Sequence, residues 1–119
     1  GADYSKCHAF IRDRDMKETR LTYPTIIAER KGEIVGILGT VYSKHAIIAG
    51  PLATNINGNS AIVSMRLIEW YEYVLRKTGV KTYVAALWQH QTPWINILKE
   101  MGCEAIGYGD GLVWMKRTL

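Results

Sequence analysis

The chain predicts a mixed α/β fold: an antiparallel meander, then a strand–helix–strand unit, forming one mixed sheet with helices on its faces. Three observations carry this. Residues 25–52 hold three β-rich runs divided by the short turns Lys31-Gly32 and Ser43-Lys44. Residues 61–77 change to helical periodicity and end on Arg76-Lys77 with Gly79 beyond. After a fourth β-rich run, Thr92-Pro93 opens a second helical pattern, which stops at Gly102 before a hairpin pattern around Gly109-Asp110-Gly111.

Taken in order, residues 3–15 read as a helix from the spacing of Tyr4, Cys7, His8, Phe10 and Ile11, and Arg12 to Arg20 alternates charge as a surface segment does. Thr25–Arg30 reads as a strand, and Glu33–Tyr42 as its longer antiparallel partner. Gly36 and Gly39 lack side chains, so close packing is expected against that strand. His45–Leu52 is the third strand. Pro51 has no N–H for the ladder, so a bulge or a free edge is expected there.

Ala61–Lys77 is the clearest helix, with Val63, Leu67, Trp70, Tyr71 and Val74 as its apolar face and Arg66, Glu69, Tyr73 and Arg76 opposite. Glu72 and Arg76 form an i,i+4 pair, and Gly79 suits the C′ position. Val80–Leu87 is a fourth strand, parallel to the third through a right-handed crossover. Thr92 suits an N-cap with Pro93 at N1, and Trp94, Ile95, Ile97, Leu98 and Met101 are the apolar positions of that helix. Glu104–Lys116 closes the chain as a hairpin. Trp70, Trp94 and Trp114 are expected in the core, with Cys103 as a small core residue.

The 119 residues suit a single domain spanning 1–119, and 48% hydrophobic content suffices for a core. A net charge of +4, with basic residues scattered, permits an acidic ligand such as a nucleotide but falls short of a nucleic-acid footprint. No apolar run is long enough to span a bilayer and no secretory signal is visible, so a cytoplasmic protein without a membrane partner is expected. The chain opens at Gly1-Ala2 rather than Met, as a cloning remnant would, and a missing natural N-terminal piece is compatible with that. Cys7 and Cys103 fit no metal spacing and read as free thiols. No Ser–His–Asp or Cys–His nucleophile set can be built from the spacings.

The loop Asn55-Ile56-Asn57-Gly58-Asn59-Ser60 joins the third strand to the long helix. Its residues tolerate positive φ, so successive backbone N–H groups can turn inward, and the helix directs its positive dipole end to the same place. Strand, small-residue loop and helix N-terminus make an anion site, most naturally for a phosphate or pyrophosphate. The alternative is a plain turn with an N-cap.

Two stretches carry a resemblance. Asn55-x-x-Gly58-x-Ser60 stands where the GNAT acetyltransferase superfamily has [QR]-x-x-G-x-[GA], with Gly58 matching and Asn55 and Ser60 departing. Asn96-Ile-Leu-Lys-Glu-Met-Gly-Cys-Glu-Ala-Ile-Gly107 is similar to that family's L-Y-E-K-x-G-F-x-x-x-G segment. With the element order, the chain resembles GNAT N-acetyltransferases from their second strand to their last, N-terminally short. Thr92-x-x-Ile95-x-Ile97-Leu98-Lys99-x-Met101-Gly102 is also similar to GNAT-like proteins of tailed bacteriophages, some of them virion-associated.

The resemblance implies an acetyl-CoA-dependent N-acetyltransferase acting by direct attack of an amine on the thioester, without metal or covalent intermediate. Backbone N–H groups from Ile56 to Ala61, within the set Asn55, Ile56, Asn57, Gly58, Asn59, Ser60 and Ala61, would hold the CoA pyrophosphate. Pantetheine would lie where the strands ending near Leu52 and Ala86 splay apart, paired with the backbone of Pro51–Ala53, and an N–H near Leu52 would face the thioester oxygen. Many members place a Tyr four residues before the helix-ending Gly as thiolate acid; this chain has Leu98, leaving water, Tyr108 or another group. Candidates for the base are His90, Glu29 and His45, or a water. Glu29 beside Arg30 also reads as a solvated charge, His45 as a turn residue, and Trp88 as lining the acceptor cleft. The alternative function is a degenerate, non-catalytic GNAT-like structural or virion-associated protein. An exposed edge at Thr25–Arg30 invites homodimerisation.

Overall fold

A computed structural model describes residues 22–54 and 60–119. The helix expected over residues 3–15 lies outside them. Among the described residues, β1 (Ile26–Arg30), β2 (Glu33–Tyr42) and β3 (Ile47–Thr54) form the antiparallel meander. Helix α1 (Ser60–Lys77) crosses to β4 (Thr82–Trp88), which lies parallel to β3, and α2 (Thr92–Glu100) leads into the β5 (Glu104–Gly109) and β6 (Leu112–Thr118) hairpin. The six strands make one sheet in the order β1-β2-β3-β4-β6-β5. The mixed α/β architecture expected from the sequence is the one observed.

Local chemistry explains the joints. Lys31-Gly32 and Asp110-Gly111 each have positive φ at both residues (53° and 80°, 52° and 76°). Two-residue hairpin turns of this type match the right-handed twist of the strands they join. Both helices end with the same hydrogen-bond pair. Gly79 N donates to Arg76 O and Val80 N to Leu75 O; Gly102 N donates to Lys99 O and Cys103 N to Leu98 O. Gly79 and Gly102 sit at φ 83° and 101°, the left-handed conformation that this helix ending requires.

Three local expectations are corrected. β3 begins at Ile47 rather than His45, because Ser43 Oγ accepts from Ala46 N at 3.0 Å and holds 43–46 in a turn. Thr92 is the first residue of α2 rather than its cap: Ile95 N donates to Gln91 O at 3.0 Å, so the helical ladder starts one residue earlier. On α1 the buried side is Ser64, Leu67, Ile68, Tyr71, Glu72 and Leu75, and Trp70 is 58% exposed, edge-to-face with Tyr73. The i, i+3, i+4, i+7 set passing through Leu67 and Tyr71 turns Trp70 outward.

At Pro51 the structure selects the bulge. Leu38 pairs with Leu52 while Thr40 pairs with Ala49, so Gly39 stands opposite both Gly50 and Pro51. Gly50 has φ 144°, open to glycine and strained for other residues. The expected close approach is found at Gly36, where a Cβ would lie 2.7 Å from Val63 Cγ1 and 3.0 Å from Leu67 Cδ1. Helix α1 therefore rests directly on β2. Tyr71 then reaches Thr40: its OH lies 2.8 Å from Thr40 Oγ1, which donates to Pro24 O at 2.7 Å. One core cluster joins Leu38, Leu67, Ile68, Tyr71, Leu75 and Tyr83; a second joins Leu98, Cys103, Val113 and Met115 under α2. Truncating a core residue such as Leu67 to Ala costs about 2–5 kcal/mol. Among the described residues no helix is long and apolar enough to cross a membrane.

Candidate functional site

β3 and β4 register at Ile48 and Val84 and then part. The Gly50–Pro51 bulge falls two residues past that point and bends β3 away from its parallel neighbour. A cavity of about 440 Å³ fills the opening. One wall is Gly50, Leu52 and Thr54 of β3; the other is Leu87 of β4 with Ala85 and Ala86, whose small side chains leave room. Ser64 and Ile68 of α1 and Trp94 and Leu98 of α2 close the helix side. Trp88 and Gln91 stand at the C-terminal end of β4.

No charged side chain lines this cavity among the described residues. Its polar groups are Thr54, Ser64, Tyr83 and Gln91. Ser64 is buried, on the first turns of α1. Tyr83 OH donates to Glu72 Oε2 at 2.6 Å, and burial together with that carboxylate pushes the phenol far above its ordinary range. Gln91 Oε1 accepts from Trp88 N at 3.0 Å. The first turn of α1 carries no acidic residue, so nothing there neutralises the positive end of the helix dipole. A mostly apolar slot, without charge among the described residues, that meets α1 at Ser64, one turn in from its N-terminus, suits a long uncharged arm with an anionic head.

The sequence-predicted residues divide. Leu52 lines the cavity and Ala53 is buried beside it. Ala61 is exposed in the first turn of α1, and Ser60 is its first residue. Asn55, Ile56, Asn57, Gly58 and Asn59 lie outside the described residues. Leu98 does stand in the cavity wall. The proton-transfer candidates are not brought together. Glu29 is exposed on β1, two strands from β3. His45 is exposed in the turn before β3, at the end opposite the bulge. Tyr108 is 67% exposed on β5, separated from β4 by β6. His90 comes nearest: it is exposed, and its ring stacks parallel to that of Trp88, centroids 6.5 Å apart.

Ser64, Ile68, Tyr83, Gln91 and Trp94 were not foreseen as lining the cavity. Ser64 carried a signal, being a small polar residue one turn before Leu67 and Ile68 on the buried side. Tyr83 carried none, because its position depends on where α1 crosses the sheet.

No family model matches the chain, and no curated protein matches it. Solved structures do. The chain is similar to an aminoglycoside 6'-N-acetyltransferase from Enterococcus faecium, with TM-score 0.76 and 14% identity over 96% of this chain and 89% of that one. A ribosomal-protein-alanine N-acetyltransferase from Brucella melitensis gives TM-score 0.70 and 19% identity over 99% and 80%. A PaiA N-acetyltransferase from Thermoplasma acidophilum, solved in complex with coenzyme A, gives TM-score 0.71 and 9% identity over 81% of this chain; the match spans 60% of that protein's length. At these identities the likeness is one of architecture, and the architecture of this chain is the GNAT acetyltransferase fold.

Proposed function

We propose that the chain is an acyltransferase that binds acetyl-CoA and passes the acetyl group to an amine. The observation that carries this is the neutral cavity between the parted parallel strands, leading toward an α1 N-terminus free of acidic residues. The solved structures in complex with coenzyme A, one an aminoglycoside 6'-N-acetyltransferase and one from Thermoplasma acidophilum, support the choice of ligand.

In this reading the backbone from Asn55 to Ala61 holds the pyrophosphate, with Gly58 leaving room for it. Ser64 and Gln91 offer hydrogen bonds to the amides of the pantetheine arm, and Leu38, Ile68 and Leu98 supply apolar contact. A backbone N–H at Leu52 faces the thioester oxygen and stabilises the charge that develops there. Leu98 cannot donate a proton, so solvent protonates the departing thiolate. Absence of an acid at this position also favours a second reading, in which the chain binds CoA without turnover.

Isothermal titration with acetyl-CoA and CoA, against wild type and Gly58→Val, tests the proposal. Binding by the wild type and loss of most affinity in the folded variant are expected, since a β-branched side chain would occupy the pyrophosphate position. Equal affinity of the two proteins would refute the placement, and no binding by either would refute the function. Release of CoA thiol in the presence of amines separates the two readings.

A further inference from the structure

Trp88 is large, apolar and 53% exposed at the mouth of the cavity, yet it is firmly held. Trp88 N donates to Gln91 Oε1 at 3.0 Å, and Gln91 N donates back to Trp88 O at 2.9 Å. Gln89 N donates to Gly111 O at 2.8 Å and Gln89 Nε2 to Leu112 O at 3.2 Å, which ties the loop to the β5–β6 turn. The indole packs beside Gly111, where a Cβ would lie 3.7 Å from Trp88 Cζ3, and the ring of His90 lies parallel to it. The residue is thus a fixed flat platform rather than a side chain hidden for stability. Rigid exposed aromatics of this kind mark recognition surfaces.

Resting on the acyl-transfer reading, we propose that the acceptor is a flat, uncharged aromatic amine that stacks on Trp88 and presents its nitrogen to the cavity. Two observations besides the platform select this class. First, among the described residues no carboxylate lines the cavity, and the chain is net positive at +4. A polycationic or alkylammonium acceptor would lose hydration there without a counter-charge and would approach against the overall field. Second, among the described residues Glu29, His45 and Tyr108 are held apart from the cavity, and His90, though stacked on Trp88, is not among the residues that line it, so no base of the described cavity wall is positioned to deprotonate an ammonium. An alkylamine with a pKa of about 10.4 is free base to roughly 0.04% at pH 7. An aromatic amine, whose lone pair is delocalised into its ring, is already the free base and needs no such group.

The step balances without further reagents. The amine nitrogen attacks the thioester carbon and a C–N bond forms. The C–S bond breaks, the electron pair leaves with sulfur, and the proton released from nitrogen ends, through solvent, on the thiolate. The products are an N-aryl acetamide and CoA thiol.

The test follows thiol release from acetyl-CoA at pH 7 with three acceptors: aniline, cyclohexylmethylamine and spermidine. A parallel calorimetric titration measures CoA binding. With CoA bound, kcat/KM for aniline is expected to exceed that of either alkylamine by about tenfold or more. Trp88→Ala is expected to raise the aniline KM about tenfold, the scale of one lost stacking contact, with the acetyl-CoA KM within about twofold of wild type. Trp88→Phe should recover most of the loss. CoA binding with preference for spermidine or the alkylamine, with no turnover of any of the three, or with an aniline KM unmoved by Trp88→Ala overturns the acceptor assignment alone. Absence of CoA binding overturns the acyl-transfer reading beneath it.

Discussion

Glu72 on α1 and Arg117 on β6 face each other in a two-point contact, Nε to Oε2 at 2.9 Å and Nη2 to Oε1 at 3.3 Å. Glu72 is 5% exposed, and the same Oε2 accepts from Tyr83 OH on β4. Arg117 extends the network by donating from Nη1 to Met101 O, the C-cap of α2, at 2.7 Å. Arg76, the i,i+4 neighbour expected to pair with Glu72, is the more distant and more exposed partner at 3.5 Å. One carboxylate therefore ties together α1, β4, β6 and the end of α2, beside the Tyr83 that lines the cavity.

Removing one member of such a group strands the other. Arg117→Ala leaves the Glu72 carboxylate buried with only Tyr83 and the exposed Arg76, and should destabilise the fold by roughly 3 kcal/mol. Urea unfolding of the two proteins measures this. A double variant, Glu72→Leu with Arg117→Met, should recover much of the loss, because no unpaired charge remains. A single variant as stable as wild type would show that water already reaches the pair.

Stability should fall on the alkaline side. Burial raises Tyr71 despite its hydrogen bond to Thr40, and burial with Glu72 raises Tyr83 further. Burial also pushes up the Cys103 thiol. Groups whose folded values lie above their unfolded ones contribute stability that is complete below the unfolded value and is lost as pH rises through the folded one. For the tyrosines the unfolded value is about 10. Unfolding free energy should thus decline above about pH 10, with Cys103 adding a smaller decline from about 8.5. Tyr71→Phe should flatten the alkaline slope even though it loses the bond to Thr40. A slope unchanged in that variant would show that Tyr71 titrates normally.

Leu98 packs with Cys103, Val113 and Met115 while its other side meets the cavity. Leu98→Tyr would return a hydroxyl to the cavity wall. With aniline as acceptor, transfer should be as fast as wild type or faster, and the rate of both proteins should be nearly flat between about pH 6 and 9, because neither that amine nor a group of the protein has to lose a proton first. A bell-shaped wild-type profile would reveal a proton-transfer group on the protein, with His90 the first to replace. A large loss of rate at unchanged CoA affinity would show that the larger side chain displaces the acceptor.

β1 is the outermost strand on its side among the described residues, with Ile26 and Ile27 half-buried and Glu29 and Arg30 exposed. Two charges guard the edge without covering it, and pairing about a two-fold axis would cover it at little entropic cost to a rigid sheet. Light scattering over a tenfold concentration range should give a mass approaching a dimer, and Ile27→Lys should restore the monomer. A constant monomer mass for wild type would refute pairing.

The order of elements from β1 onward, both two-residue hairpin turns, both glycine-ended helices and a break in the ladder near Pro51, as a bulge or a free edge, were legible in the chain itself. Each rests on chemistry between near neighbours: Lys31-Gly32 and Asp110-Gly111 accept positive φ, Gly79 and Gly102 accept the left-handed helix ending, and Pro51 withholds an N–H from the ladder. Strong periodicity likewise marked α1 and the parallel crossover to β4. What only the tertiary structure decided are relations across the sheet. Which side of α1 is buried depended on Gly36 admitting Val63 and Leu67, and that contact turned Trp70 outward. Glu72 looked like half of a surface pair until the crossover set it against Tyr83 and Arg117, 11 and 45 residues away in sequence. The same holds for Glu29 and Tyr108: each has the right chemistry for proton transfer, and strand order, which no local pattern encodes, keeps them from the cavity beside Trp88, while the turn at 43–46 leaves His45 exposed before β3 begins.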